Sequence, residues 1–490
     1  MPTVTFRSFL DSPTRPLWLV ATIPLSLLAT ACTHLEPAPP PAEVVALPDT
    51  WSAPLAVPTD IAATATDLSS WWTKFNDPVL ARLIDDALLH SPDIRSAISR
   101  VAESRARRLV QRADLLPSLS AGVSGQGSAT RNHETNTTAT GESYSADLNA
   151  SWQVDLFGEQ GKAVDAATAD LKQTTANLHA AQISLVAEVA TTYVNLRAYE
   201  RRLDVTERSL ATREESTQLT TWREQAGVGD VLESRQASAS LEQTRATLPT
   251  LRQSISETRH RLALLCGQTP AALDTLLHAS APVPTPPADL ALTFPAETLR
   301  QRPDVQAAGF AVEAANARTS SARRQRLPSL SLNGSLGVDA LKAGDLFSPT
   351  TTLANVVGSL TAPIFDAGRI RQSIRIQDEL TEQALAAYES TVLTALSEVE
   401  NALVAIQRTG EREASLTRAV GLAREAQELA QQRYDAGQVD FLTVLDAQRT
   451  LLSLEDSLVT TAADQTNAHI QLYLALGGGW SAPPTSGTAD

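Results

Sequence analysis

Residues 143–156 read Ser143-Tyr144-Ser145-Ala146-Asp147-Leu148-Asn149-Ala150-Ser151-Trp152-Gln153-Val154-Asp155-Leu156. Every even position is apolar and every odd one polar or charged. That is the period of a strand with one wet face and one apolar face. The alternation recurs at 118–123 (Leu119, Ala121, Val123), 329–338 (Leu330, Leu332, Leu336, Val338) and 354–364 (Ala354, Val356, Leu360, Ile364). These are four strands, most of them long enough to cross a bilayer when tilted. The stretches between them, such as Arg131-Asn132-His133-Glu134-Thr135-Asn136, are polar loops that belong in water. Four strands cannot close a membrane barrel, which needs at least about eight. An open edge in lipid leaves backbone groups unpaired, at several kcal/mol each. Copies of the chain must therefore share a barrel, with about eight strands from two copies or about twelve from three. Ser145, Asp147, Asn149, Ser151, Gln153 and Asp155 would make its wet face hydrated and acidic. A soluble sandwich with one solvated face is the alternative reading of the same pattern.

Moving outward, the chain repeats itself. Ser91-Pro92-Asp93-Ile94 pairs with Arg302-Pro303-Asp304-Val305, and Leu116-Pro117-Ser118-Leu119-Ser120 with Leu327-Pro328-Ser329-Leu330-Ser331, both 211 residues on. Ala226-Gly227 and Asp230-Val231-Leu232 pair with Ala436-Gly437 and Asp440-Phe441-Leu442 at an offset of 210, as do Leu262 and Gly267 with Leu472 and Gly477. The chain is two tandem copies, 71–280 and 293–477, joined by a Pro-rich linker, 281–292, that contains Pro282-Val283-Pro284-Thr285-Pro286-Pro287. Each copy opens a helix with proline in its first turn, where the missing N–H costs nothing. Those helices stop near Pro117 and Pro328.

Beyond the strands the period becomes seven. Val189, Leu196, Leu203 and Leu210 form one heptad series, and Leu385, Val392, Val399 and Ile406 its counterpart in copy two. A second series runs Leu241, Leu248, Ile255, Leu262, matched by Leu451, Leu458, Gln465 and Leu472. Such spacing indicates coiled-coil packing. The first helix spans 159 to roughly 224, about 100 Å at 1.5 Å per residue. The two Ala-Gly-x-x-Asp turns send the chain back antiparallel, and Pro249 should kink the returning helix.

At the start, Arg7 and Arg15 precede an apolar run, Leu17 to Leu28, too short to span a bilayer. Ala29-Thr30-Ala31-Cys32 follows and resembles a bacterial lipobox, with Cys32 acylated as the first mature residue. An ordinary signal peptide cleaved near Ala31 is the alternative. Removing 1–31 takes away two arginines and one aspartate, so the net charge moves from −15 to −16. Residues 32–70, with Pro37, Pro39, Pro40 and Pro41, form an extended lipidated segment, and 478–490 a flexible tail. Thr33 follows the cysteine where, by the same resemblance, an Asp would favour inner-membrane retention, so outer-membrane delivery is expected.

Composition narrows the function. Forty Lys and Arg against 55 Asp and Glu exclude the basic footprint of a nucleic-acid binder. Two cysteines, Cys32 and Cys266, build no disulfide framework or cysteine-rich zinc module. The seven histidines are scattered without ligand spacing, aromatics are 4% of residues, and no catalytic constellation emerges. Asp77 and Asp93 read as acids at helix starts, and Cys266 as an inert thiol near a helix end.

Several motifs carry a family resemblance. Trp71-Trp72-x-x-Phe75-x-Asp77-Pro78-x-Leu80, Asp155-Leu156-Phe157-Gly158, Arg302-Pro303-Asp304 and Pro363-Ile364-Phe365-Asp366-x-Gly368-Arg369 are four of them. The most specific is Arg433-Tyr434-x-x-Gly437-x-x-Asp440-Phe441-Leu442-x-x-x-Asp446-Ala447-Gln448-Arg449. Together, over about 70–477, they resemble outer-membrane efflux factors of the TolC/OprM/NodT type. The resemblance implies an internally duplicated α+β membrane protein. It would be a lipid-anchored homotrimer with a twelve-stranded β-barrel, four strands from each chain, and a periplasmic tunnel of antiparallel coiled-coil helices. It implies the outer duct of a tripartite efflux pump associated with drug resistance, not an enzyme. Its partners would be a periplasmic membrane-fusion adaptor and an inner-membrane RND-type transporter. No cofactor is implied beyond the diacylglycerol and palmitate-type acyl lipid on Cys32. The outer component of type I protein secretion uses the same scaffold, and a periplasmic coiled-coil lipoprotein without a channel is the reading from another class.

By the same resemblance the second helical turn is a periplasmic mouth that closes like an iris. Carried over by motif, Leu442 would be an apolar constriction and Asp446, one turn further, an acidic ring attracting cations. Tyr434 and Arg449 would supply inter-helix hydrogen bonds and ion pairs holding the mouth shut, with Asp440 nearby. A solvated pair three residues apart is the plainer reading of Asp446 and Arg449, and coiled-coil core that of Leu442. In the first-copy turn Gly229, Glu233 and Arg235 replace Val439, Thr443 and Leu445, so no gate role is carried onto it.

Overall fold

The computed structural model describes residues 68–286, 296–348 and 352–480. The expected signal segment, Cys32, the Pro/Ala stretch behind it, linker residues 287–292 and tail residues 481–490 lie outside the described residues. The first copy starts with a 3-10 turn, Trp71–Phe75, then α1 (Pro78–His90) and α2 (Pro92–Ala113). A hairpin of β1 (Ser118–Asn132) and β2 (Thr137–Val154) leads into α3 (Glu159–Gln225), and the chain returns as α4 (Val231–Arg245) and α5 (Thr247–Leu265). The second copy runs α6 (Pro303–Arg324), β3 (Ser329–Ala340), β4 (Thr352–Thr361), α7 (Arg369–Asp435) and α8 (Phe441–Ala475).

Helices α3 and α7 are each 67 residues, about 100 Å, and begin 210 residues apart. Each packs against its returning partner, α3 on α4 and α5, α7 on α8. The heptad positions Val189, Leu196, Ile255 and Leu262 are buried, as are Val392, Val399 and Leu472. At the turns Gly227 and Gly437 take positive φ, 71° and 69°. This lets the next N–H reach back, Val228 to the Arg223 carbonyl at 3.0 Å and Gln438 to that of Arg433 at 2.8 Å. The break expected from Pro249 falls at Ala246, between α4 and α5. Proline has no N–H for the carbonyl four residues back. Val459 stands 210 residues on, and α8 runs through unbroken.

The sheet is antiparallel in the order β1-β2-β3-β4, with β1 and β4 as edges. Its register gathers the apolar alternation onto one face: Val123 faces Ala146, Ala146 faces Val338, Leu148 faces Leu336, and Leu330 faces Leu360. That face is uncovered, with Leu119, Val123, Val356 and Leu360 all more than two-thirds exposed. The other face carries Ser145, Asp147, Asn149, Ser151 and Gln153, and Asn149 donates to Asp147 at 2.8 Å. Asp155 is not on it. The strand ends at Val154, and the Asp155 carboxylate accepts the Gly161 N–H at 2.7 Å, capping α3. The first hairpin is also longer than its alternation suggests. It pairs out to Asn132 and Thr137, so Arg131 and Asn132 are strand residues and not loop.

The main core lies where the short helices meet the long ones. Trp71 stacks on Tyr473, rings 5.0 Å apart and 9° from parallel, beside Leu80, Leu83, Val189 and Tyr193. Asp77 caps α1, accepting from the Val79 and Leu80 N–H groups at 2.9 and 3.1 Å, and its other oxygen takes the Tyr193 phenol at 2.7 Å. Within this core Glu200 holds two guanidiniums, Arg197 at 2.7 Å and Arg259 at 2.8 Å. Those arginines also donate to the Ala279 and Leu277 carbonyls, pinning the start of the linker. Cys266 is buried, its thiol on the Leu83 carbonyl at 3.5 Å and pushed up to about 11 by burial. Among the described residues no helix is long and apolar enough to cross a membrane.

Candidate functional site

The candidate site is the pair of turns that close the two coiled-coil hairpins. Asp440 begins α8 as its N-cap, accepting the Thr443 N–H at 3.1 Å and the Thr443 hydroxyl at 2.8 Å. These bonds hold its carboxyl below the ordinary aspartate range. It therefore fixes the helix start. The next residue, Phe441, turns inward and is buried against Tyr434, ring centroids 5.3 Å apart.

Tyr434 is buried at the end of α7, and its phenol donates to the Glu233 carboxylate of α4 at 3.2 Å. The Arg223 guanidinium of α3 covers its ring at 4.8 Å, a cation–π contact. Burial first, then the Glu233 charge, raises the Tyr434 phenol above its ordinary value of 10.0. Four helices thus meet at one aromatic ring. Two turns inside, Gln448 of α8 donates to Ser216 of α3 at 3.1 Å, a second tie between the hairpins.

Leu442, Asp446 and Arg449 occupy the outer face of α8, at the i, i+4, i+7 spacing of one helical stripe. Leu442 is 46% exposed, so within one chain it is not coiled-coil core. Asp446 and Arg449 are exposed and 3.8 Å apart, a loose pair along one helix. The structure thus divides the five candidates. Tyr434 is interior, Asp440 is a cap, and the other three form an exposed stripe. Glu233 and Arg223, which complete the Tyr434 site, carry no sequence signal. Glu233 stands where copy two has Thr443, and only the fold brings it to Tyr434.

The second feature is the sheet, with two unpaired edges and an uncovered apolar face. Among the described residues no group of three or more His, Cys, Asp or Glu side chains could hold a metal ion.

Known proteins share this fold. The profile of the family described as outer membrane efflux protein matches residues 83–268 and 294–478. The pyoverdine export outer membrane protein OpmQ of Pseudomonas putida is 32% identical over 468 residues, 94% of this chain and 97% of its own. Outer membrane protein OprJ of Pseudomonas aeruginosa is 32% identical over 469 residues, 95% and 97%. Among solved structures, the outer-membrane channel OprN superposes with a TM-score of 0.81 at 32% identity, over 88% of this chain and 98% of its own.

Proposed function

The chain belongs to the outer membrane efflux protein family, and from that premise we propose how its own residues build the outer-membrane duct of an efflux pump. The observation that carries the proposal is the open four-stranded sheet. Its Leu119, Val123, Val356 and Leu360 face is exposed, and strand edges left unpaired in lipid cost several kcal/mol per group. Three chains, with β4 of one pairing to β1 of the next, make a closed barrel of about twelve strands, comfortably above the minimum for a membrane. The apolar face then meets lipid, and the Ser145, Asp147, Asn149 face lines a hydrated lumen. The paired 67-residue helices carry the path into the periplasm. They end on the two turns, where a membrane-fusion adaptor and an inner-membrane RND-type transporter dock. Names such as toluene efflux and antibiotic efflux among the relatives favour small-molecule efflux over protein secretion. Cys32 supplies the lipid anchor.

The gate follows from the stripe on α8. Around a threefold axis, Leu442 from each chain narrows the mouth and Asp446 forms an acidic ring that prefers cations. Arg449 restrains Asp446, Asp440 fixes the helix start that presents both, and Tyr434 holds the second hairpin against the first. The duct does no bond chemistry, and opening requires only that such ties be broken. A native mass measurement on the purified, detergent-solubilised protein tests the assembly. Three chains, each carrying acyl mass that a Cys32→Ser variant lacks, is the expected result; a monomer or dimer refutes the closed barrel.

A further inference from the structure

A cavity of about 580 Å³ opens beside the Ala246 break, where α3, the α4–α5 junction and α8 come together. Three arginines line it, Arg202, Arg213 and Arg449, against one carboxylate, Asp456. That carboxylate is already taken. It receives Arg202 through two bonds, Nε at 2.6 Å and Nη2 at 3.2 Å.

Arg213 is the unusual member. Only 3% of it is exposed, and its bonds run to two neutral hydroxyls, Ser240 and Ser209. Among the described residues no carboxylate pairs with it. Arg449 adds a like charge across the cavity, and burial together with that charge makes the Arg213 guanidinium easier to deprotonate than usual. A buried cation is normally paired, because taking it out of water without a partner is costly. Thr250 and Ser453, on the cavity wall, have hydroxyls with no hydrogen-bond acceptor among the described residues. The cavity therefore combines excess positive charge, unused donors and room for an oxyanion with several waters. Arginine's planar fork suits carboxylate and phosphate alike.

We propose that this cavity binds a small oxyanion, a phosphate or a carboxylate, between Arg213 and Arg449. The duplication supplies no second such site, since Ala423 stands 210 residues beyond Arg213 and α8, the counterpart of α4 and α5, lacks the break. Arg449 also stands 3.8 Å from Asp446, so a bound anion competes with Asp446 for one guanidinium.

Calorimetric titration of inorganic phosphate into the full-length, detergent-solubilised protein tests the proposal, with chloride balancing ionic strength. Saturable binding at one site per chain is expected, displaced by acetate and weakened at least tenfold by Arg213→Gln and by Arg449→Gln. Arg412→Gln, which does not line the cavity, should bind as the parent does. If Arg213→Gln fails to fold, the exposed Arg449 decides alone. No saturable binding, or binding that Arg449→Gln leaves untouched, overturns the proposal.

Discussion

The Tyr434 phenol donates a 3.2 Å hydrogen bond to the Glu233 carboxylate, joining the last turn of α7 to the first turn of α4. Two hairpins that are 210 residues apart in sequence are thereby tied at their ends. Tyr434→Phe keeps the ring against Phe441 and Arg223 but removes the tie, worth about 1 kcal/mol net. Cells with this variant as their sole duct should become more sensitive to vancomycin, and so should cells with Glu233→Gln. Unchanged sensitivity in both would remove Tyr434 from the gate.

Asp446 is exposed on the same stripe as Leu442. A ring of three carboxylates attracts cations, so Asp446→Asn should lower the cation-to-anion permeability ratio of the reconstituted protein. Reversal potentials in a salt gradient measure this. A ratio that stays the same places Asp446 away from the ion path.

Glu200 balances two guanidiniums, Arg197 and Arg259, in a site where it is only 7% exposed. Glu200→Ala leaves the buried Arg197 without its carboxylate, and the partly exposed Arg259 with it, costing about 3–5 kcal/mol. Chemical unfolding should show that loss, with earlier proteolysis near 277–284. A loss below about 1 kcal/mol would mean that water reaches the pair freely.

Tyr434 and Tyr473 should show at alkaline pH. Burial raises both, Tyr473 to about 12 and Tyr434 above its ordinary 10.0. A raised value means that the folded chain holds the proton more tightly than the unfolded one. Their contribution is complete below pH 10 and is lost as pH climbs through the folded values. Thermal midpoints measured from pH 8 to 11 should be flat and then fall, with a shallower fall in Tyr434→Phe. A decline that begins well below pH 9 must come from other groups.

Much of this fold was legible because the long elements repeat a single physical demand many times. A seven-residue spacing from Val189 to Leu210 leaves one seam for a partner helix, and fourteen alternating residues leave one apolar face. The outer part of the first hairpin was not legible. Between Ser124 and Asn132 both faces meet water, so Gly125, Gln126, Gly127 and Ser128 carry no alternation even though they are strand. Asp155 continued the alternation by chance while serving as a helix cap. At the candidate site the motif located α8, but Glu233, Arg223 and Arg213 act through contacts made only when four helices converge. No local pattern encodes those contacts.

Single-channel recording in planar bilayers tests the shared barrel most directly. The purified, reconstituted protein should give discrete conductance steps, and Leu442→Ala or the paired Asp446→Ala and Arg449→Ala change should enlarge them. Absence of current from the parent protein and from these variants alike would contradict a duct built from three open sheets.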